Sequence, residues 1–146
     1  MEVEQELEIG LEEAWEFFSS PKNLEKITPK EMGFQITGKD PEPMYSGQII
    51  SYSVGIFPGI RTNWISEICH VDHLKMFVDE QRFGPYAMWH HEHHFTLREG
   101  SVVMKDIVSY KLPLGWMGRI LHPVLVAPKL NKIFSHRKLV LDRIFK

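Results

Sequence analysis

Apolar positions recur with a period of two along most of this chain and with a period near 3.6 in two places, so strands and helices can be separated by pattern. Residues 3–9 set Val3, Gln5, Leu7 and Ile9 against Glu2, Glu4, Glu6 and Glu8, which predicts a strand with one face in water. Leu11, Ala14, Trp15 and Phe18 then take helical spacing. Ser19, Ser20 and Pro21 end that helix and open a second short one through Ile27. Residues 34–37 form a short strand and residues 38–43 have the Gly and Pro content of a loop. Five longer strands follow, at 48–57, 60–71, 75–83, 87–98 and 101–112. Their links carry turn chemistry: Pro58-Gly59 suits a type II turn, Gly84-Pro85 breaks the next pair, and Glu99-Gly100 closes the last hairpin. Such short links predict an antiparallel meander.

After Pro113 the period changes to helical, with interruptions at Pro123 and Pro128, and Pro128 suits the first turn of a final helix reaching Ile144, about 25 Å long. Its apolar stripe is Val126, Leu130, Ile133, Phe134, Leu141 and Ile144. Arg137 falls inside that stripe, four residues from Ile133 and Leu141, and is expected to project with them. Residues 112–126 combine many apolar side chains with breakers, which suits a cover over one end of a cavity as well as a plain amphipathic helix packed on the sheet.

The strands share an inner face: Trp64, Ser66 and Ile68; Phe77, Asp79 and Gln81; Trp89, His91, His93 and Phe95; Met104, Asp106, Val108 and Tyr110. Residues 89–95, reading Trp-His-His-Glu-His-His-Phe, are the most informative stretch, because alternation puts His91 and His93 among aromatic rings and sends His90, Glu92 and His94 outward. Buried polar groups need partners, and Asp79 and Asp106 on the same face call for a cation that Arg137 supplies from the opposing helix. The expected result is an internal network of Asp79, Gln81, His91, His93, Asp106 and Arg137. It serves either as a satisfied core network or as the group that recognises a hydroxyl, carbonyl or carboxylate on a mostly apolar molecule. A His-x-His pair near an aspartate can also bind zinc or iron, but Arg137 would place a positive charge beside the ion, so no metal and no cofactor is expected. Nucleophilic catalysis lacks support: there is no Gly-x-Ser-x-Gly elbow, no phosphate-cradling Gly-rich loop, and Cys69 alternates with the outward Glu67. General acid or base chemistry by His91, His93 or Asp79 stays open.

Composition narrows the partners. The chain has 146 residues, enough for a single domain over 1–146, with 17 Lys and Arg against 19 Asp and Glu, a net charge of -2. That balance lacks the basic excess of a nucleic-acid binder. Charge is uneven: residues 1–31 hold nine acidic and three basic side chains, and residues 111–146 hold eight basic side chains and only Asp142. Two complementary solvated faces explain this, with contact between the basic segment and an anionic membrane as the less favoured reading. Cys69 is the lone cysteine, which agrees with a reducing compartment, and neither a signal peptide nor a spanning helix is indicated, so a cytoplasmic location is expected.

The element order and several stretches together resemble the START-like SRPBCC ligand-binding superfamily, whose helix-grip fold is that of the birch-pollen allergen and of polyketide cyclases. The resemblance covers essentially the whole chain and is most specific at residues 21–29, 77–86, 89–95, 106–115 and 133–137. It is similar to a bacterial subgroup of small stand-alone proteins, from which Pro123 and Pro128 look like departures. The resemblance implies an α+β helix-grip domain, with a curved antiparallel sheet of about seven strands wrapped around the C-terminal helix and an apolar cavity between them. Trp64, Phe77, Asp79, Gln81, Trp89, His91, His93, Asp106, Tyr110 and Arg137 match subgroup positions. Phe95 and Met104 join them from the alternation. The superfamily shares no catalytic set. Binding of a small hydrophobic molecule is therefore the expected function, with a cyclase-, aromatase- or hydrolase-like enzyme as the alternative.

Overall fold

Period-two segments joined by short links have one low-cost solution, each strand folding back on its predecessor, and the computed structural model shows it. It describes residues 1–38, 43–57 and 59–145, without the side chains of Phe57, Met117, Arg119 and Leu121. Residues 39–42 of the expected loop and Pro58 of the expected Pro58-Gly59 turn lie outside the described residues. The strands are β1 (Glu2–Leu7), β2 (Gln35–Ile36), β3 (Gln48–Phe57), β4 (Ile60–Asp72), β5 (Met76–Phe83), β6 (Met88–Arg98) and β7 (Ser101–Lys111). They form one seven-stranded antiparallel sheet in the order β1-β7-β6-β5-β4-β3-β2. The β6–β7 hairpin turns at Glu99 and Gly100, both with positive φ (49° and 94°), the primed geometry that matches strand twist.

Between β1 and β2 lie α1 (Leu11–Phe18) and α2 (Lys22–Ile27), followed by a single 3₁₀ turn. Helix α1 carries Glu12 and Glu13 in its first turn, where the helix dipole favours negative charge, and buries Ala14, Trp15 and Phe18. Trp15 meets Phe77 and Phe95 edge-on at 6.1 and 5.7 Å, closing one end of the sheet over Leu7, Val102 and Met104.

Helix α4 (Ala127–Ile144) lies against the concave face and buries Leu130, Phe134, Arg137 and Leu141. Ile133 is half-buried and Ile144 exposed, so the stripe is narrower at its C-terminal end than its spacing predicts. Gln5, which the alternation places among apolar neighbours, donates to the Lys138 carbonyl (3.0 Å) and to Asp142 Oδ1 (3.1 Å), tying β1 to α4. The acidic N-terminal and basic C-terminal segments meet in the Lys132–Glu31 ion pair, in keeping with complementary faces.

The link from β7 to α4 contains α3 (Gly115–Leu121) and a π-helical turn at His122–Val126. Leu114 and Gly115 both adopt left-handed backbone (φ 67° and 52°), which turns the chain sharply out of β7. Gly118 approaches the Pro113 carbonyl so closely that a Cβ would collide with it. Pro123 has no N–H to give to a regular helix, and the ladder widens around it. Among the described residues no helix is long and apolar enough to cross a membrane.

Candidate functional site

Closing the sheet over α4 leaves a cavity of about 450 Å³ between them. Ile50, Tyr52, Val54, Trp64, Phe77 and Trp89 line its sheet side, and Leu130, Ile133, Phe134 and Arg137 line its helix side. Phe17, Phe18, Leu24 and Ile27 of α1 and α2 and Leu112, Leu114, Leu125 and Val126 of the β7–α4 link complete the wall. The link therefore does border the cavity, and it also leaves Leu114, Trp116, Ile120 and Val124 largely exposed. Few contacts hold such a segment. Its amides, over 115–126, are expected to exchange hydrogen faster than those of β5 to β7, and to slow when the cavity is filled; protection equal to the central strands with and without ligand would rule out a moving cover.

Register builds the polar group. Asp79 stands opposite His91 in the β5–β6 pair, and His93 stands opposite Asp106 in the β6–β7 pair, so each imidazole has a carboxylate on either side. His91 Nε2–H donates to Asp106 Oδ1 (3.0 Å), and His93 Nε2–H donates to Asp79 Oδ2 (3.0 Å). His93 Nδ1 lies 2.8 Å from Asp106 Oδ1 but off the line of a good hydrogen bond, and His91 Nδ1 lies 3.6 Å from Asp79 Oδ2. The rings are 3.8 Å apart between centroids, and Phe77 stacks on His93 at 4.1 Å. Arg137 Nη1 reaches Asp106 Oδ2 at 3.5 Å, its Nη2 points at Met104 Sδ (3.7 Å), and its charge sits over Phe18 and Phe134 at 5.4 and 5.9 Å.

Burial penalises every charge here, and the partners decide which survive. For Asp106, burial is outweighed by the Arg137 charge, the His91 hydrogen bond and the close His93 imidazole, holding its carboxyl well below the usual range. Asp79 is held low against its own burial mainly by the His93 hydrogen bond. Burial and the neighbouring His93 push His91 down, whereas His93, also buried, is raised by the close Asp106 carboxylate and by its hydrogen bond to Asp79. One imidazolium and one neutral imidazole between two carboxylates and one guanidinium sum to zero charge, the cheapest state for a buried cluster. Burial likewise raises Tyr52, which shares a 3.2 Å hydrogen bond with the Ser66 hydroxyl, and pushes Tyr86 up to about 12.

Of the residues the sequence nominates, Trp64, Phe77, Asp79, Trp89, His91, His93 and Arg137 line the cavity. Asp106 stands behind the histidines, and Phe95 and Met104 belong to the packed end under α1. Gln81 is engaged elsewhere: its Nε2 donates to the Tyr86 carbonyl (2.7 Å) and its Oε1 accepts from the Tyr86 amide (3.2 Å), pinning the β5–β6 turn. Tyr110 hydrogen-bonds His122 Nε2 at 2.6 Å in the link. Ile50, Tyr52 and Val54 line the cavity without having been nominated, and their alternation along β3 is the signal that could have found them. The α1 and α2 contributors reach the cavity only through chain closure.

No protein-family model and no curated protein matches the chain. Solved structures match over nearly its full length. Protein Ms6760 from Mycobacterium smegmatis is 17% identical with a TM-score of 0.71, covering 98% of this chain and 88% of its own. Norcoclaurine synthase from Thalictrum flavum, solved as a point mutant with a transition-state analogue, is 19% identical with a TM-score of 0.64, covering 98% and 94%. Ara h 8.0201 is 14% identical with a TM-score of 0.59, covering 97% and 95%. At these identities the likeness is one of fold. The chain has a helix-grip α+β architecture, a seven-stranded curved antiparallel sheet around a C-terminal helix.

Proposed function

We propose that the protein binds a small, mostly apolar molecule in the cavity between sheet and α4. Trp64, Phe77 and Trp89 act as walls, and Asp79, His91, His93 and Arg137 orient one polar substituent. The cavity volume falls within the ~300–1,000 Å³ of small-molecule sites, and its lining has their chemistry: apolar walls with a few placed polar groups. The observation that carries the reading is Arg137. It is buried, lines the cavity, and its Nε–H meets no acceptor among the described residues. An unmet buried donor is costly, and a ligand oxygen would satisfy it. Fatty acids, sterols, isoprenoids and aromatic polyketides all fit that description. A ligand at a hundred times its Kd is expected to stabilise the native state by about 2.7 kcal/mol. A thermal-shift screen of these classes on delipidated protein checks it. No shift from any class, with a structure showing sheet and helix interdigitated, would reduce the protein to a packed domain.

The enzymatic reading rests on the His-Asp pairs beside the cavity and on norcoclaurine synthase, an enzyme of the same fold. Here the imidazoles move a proton on a bound polyketide- or lipid-like compound. Turnover abolished by His91→Ala with binding retained would establish it; binding without turnover by the intact protein would leave a carrier.

A further inference from the structure

We propose that Asp79, His91 and His93 form a site for one divalent transition-metal ion of the zinc or iron(II) class, with Asp106 holding both imidazoles from behind. One donor atom from each of the three residues lies within 4.8 Å of the others. Asp79 Oδ2 is 3.0 Å from His93 Nε2 and 3.6 Å from His91 Nδ1. Donors bound at about 2.0–2.2 Å around one ion stand roughly 3–3.6 Å apart, so these separations are already those of a coordination edge. Of the second nitrogens, His91 Nε2 hydrogen-bonds Asp106 Oδ1 at 3.0 Å, and His93 Nδ1 lies 2.8 Å from the same oxygen, off the line of a good hydrogen bond. Metal-bound histidines use their other ring nitrogen in this way, against a carboxylate that fixes tautomer and ring orientation.

Arg137 is the objection the sequence raises, and the structure answers it. The guanidinium pairs with Asp106 Oδ2 at 3.5 Å, so its charge is spent on the outer carboxylate. Two carboxylates against one guanidinium leave one negative charge, which the His93 proton balances in the metal-free protein; a divalent ion in place of that proton brings the cluster to +1, which a hydroxide or carboxylate at an open coordination position would neutralise. On loading, His93 Nε2 gives its proton to solvent as the ion takes its place. All three donors line the cavity, so the coordination positions they leave open face water or the polar end of a bound molecule. The inference does not depend on an organic ligand, and its test uses none.

The full chain is stripped with chelator and titrated with Co²⁺, followed by its visible absorption, and with Zn²⁺ by calorimetry. One ion per chain is expected. Asp79→Asn and His93→Gln should each weaken Co²⁺ binding by about 100-fold or more, and Asp106→Asn, as a positioning residue, by about 10–100-fold. The outer face carries a competing set, His90 with Glu80 (2.8 Å) and His94 with Glu92 (2.9 Å), so a His90→Gln/His94→Gln double variant is the control and should bind as the wild type does. Variants that fail to fold are bypassed by X-ray absorption of zinc-loaded wild-type protein, where two imidazoles and a carboxylate are expected in the first shell. No stoichiometric binding, binding lost in the outer-face control, or a shell without two imidazoles would overturn the proposal. Each of these leaves the apolar-ligand reading standing, and a failed thermal-shift screen leaves this one standing.

Discussion

Arg137→Met is expected to destabilise the protein by about 3–5 kcal/mol, the cost of removing one partner from a buried ion pair. Asp106 is 5% exposed and Arg137 8%, so water cannot replace the lost guanidinium. Methionine keeps most of the stem volume and can still touch Phe18 and Phe134, so the loss reports charge and not a cavity. Asp106→Asn in the same chain should return part of the loss, because the neutral amide no longer needs a counter-charge. Urea unfolding of the two single variants and the double variant forms a complete cycle, with a coupling energy of about 1–3 kcal/mol expected. A single-variant cost under about 1 kcal/mol, or a double variant that costs the plain sum, would show that Arg137 and Asp106 are neighbours without being partners.

Leu141→Ala is expected to cost about 2–5 kcal/mol, and Ile133→Ala less than half as much. Both residues sit on the same face of α4, but Leu141 is 1% exposed within the packed end under α1, whereas Ile133 is half-buried and borders open space. A side chain packed on all sides loses its dispersion contacts and leaves a void when truncated. One that borders a cavity has fewer contacts to lose. The comparison is made by urea unfolding in ligand-free protein. Equal costs would mean that the cavity collapses around Ile133, and the space for a ligand would go with it.

Much of this architecture was legible along the chain. Alternation put His91, His93, Asp79 and Asp106 on one face, and helical spacing put Arg137 on the stripe that meets them; all five came together. The β6–β7 turn was legible because Glu99-Gly100 carries its own backbone preference. Gln81 and Tyr110 obeyed the same alternation and yet serve turns and links, because each lies near the end of its strand, where loop atoms compete for a side chain. The walls from Phe17, Leu24 and Ile27 were illegible as walls, since nothing in a helical stripe says which cavity it will close.

The sequence by itself determined faces: which side chains share the concave surface, that this surface carries buried charge, and that a cation would descend on it from the last helix. Those follow from backbone periodicity, a property of neighbouring residues. Only the tertiary structure decided which aspartate the cation meets and which ring nitrogens are left over. Arg137 pairs with Asp106 and not Asp79, and two imidazole nitrogens converge on Asp79 Oδ2, because strand register and the docking of α4 fix those atoms relative to one another. Register and docking are set by the packing of the whole core, where a shift of one residue in β5 would turn Asp79 to the solvent face. No local pattern in the chain encodes that choice.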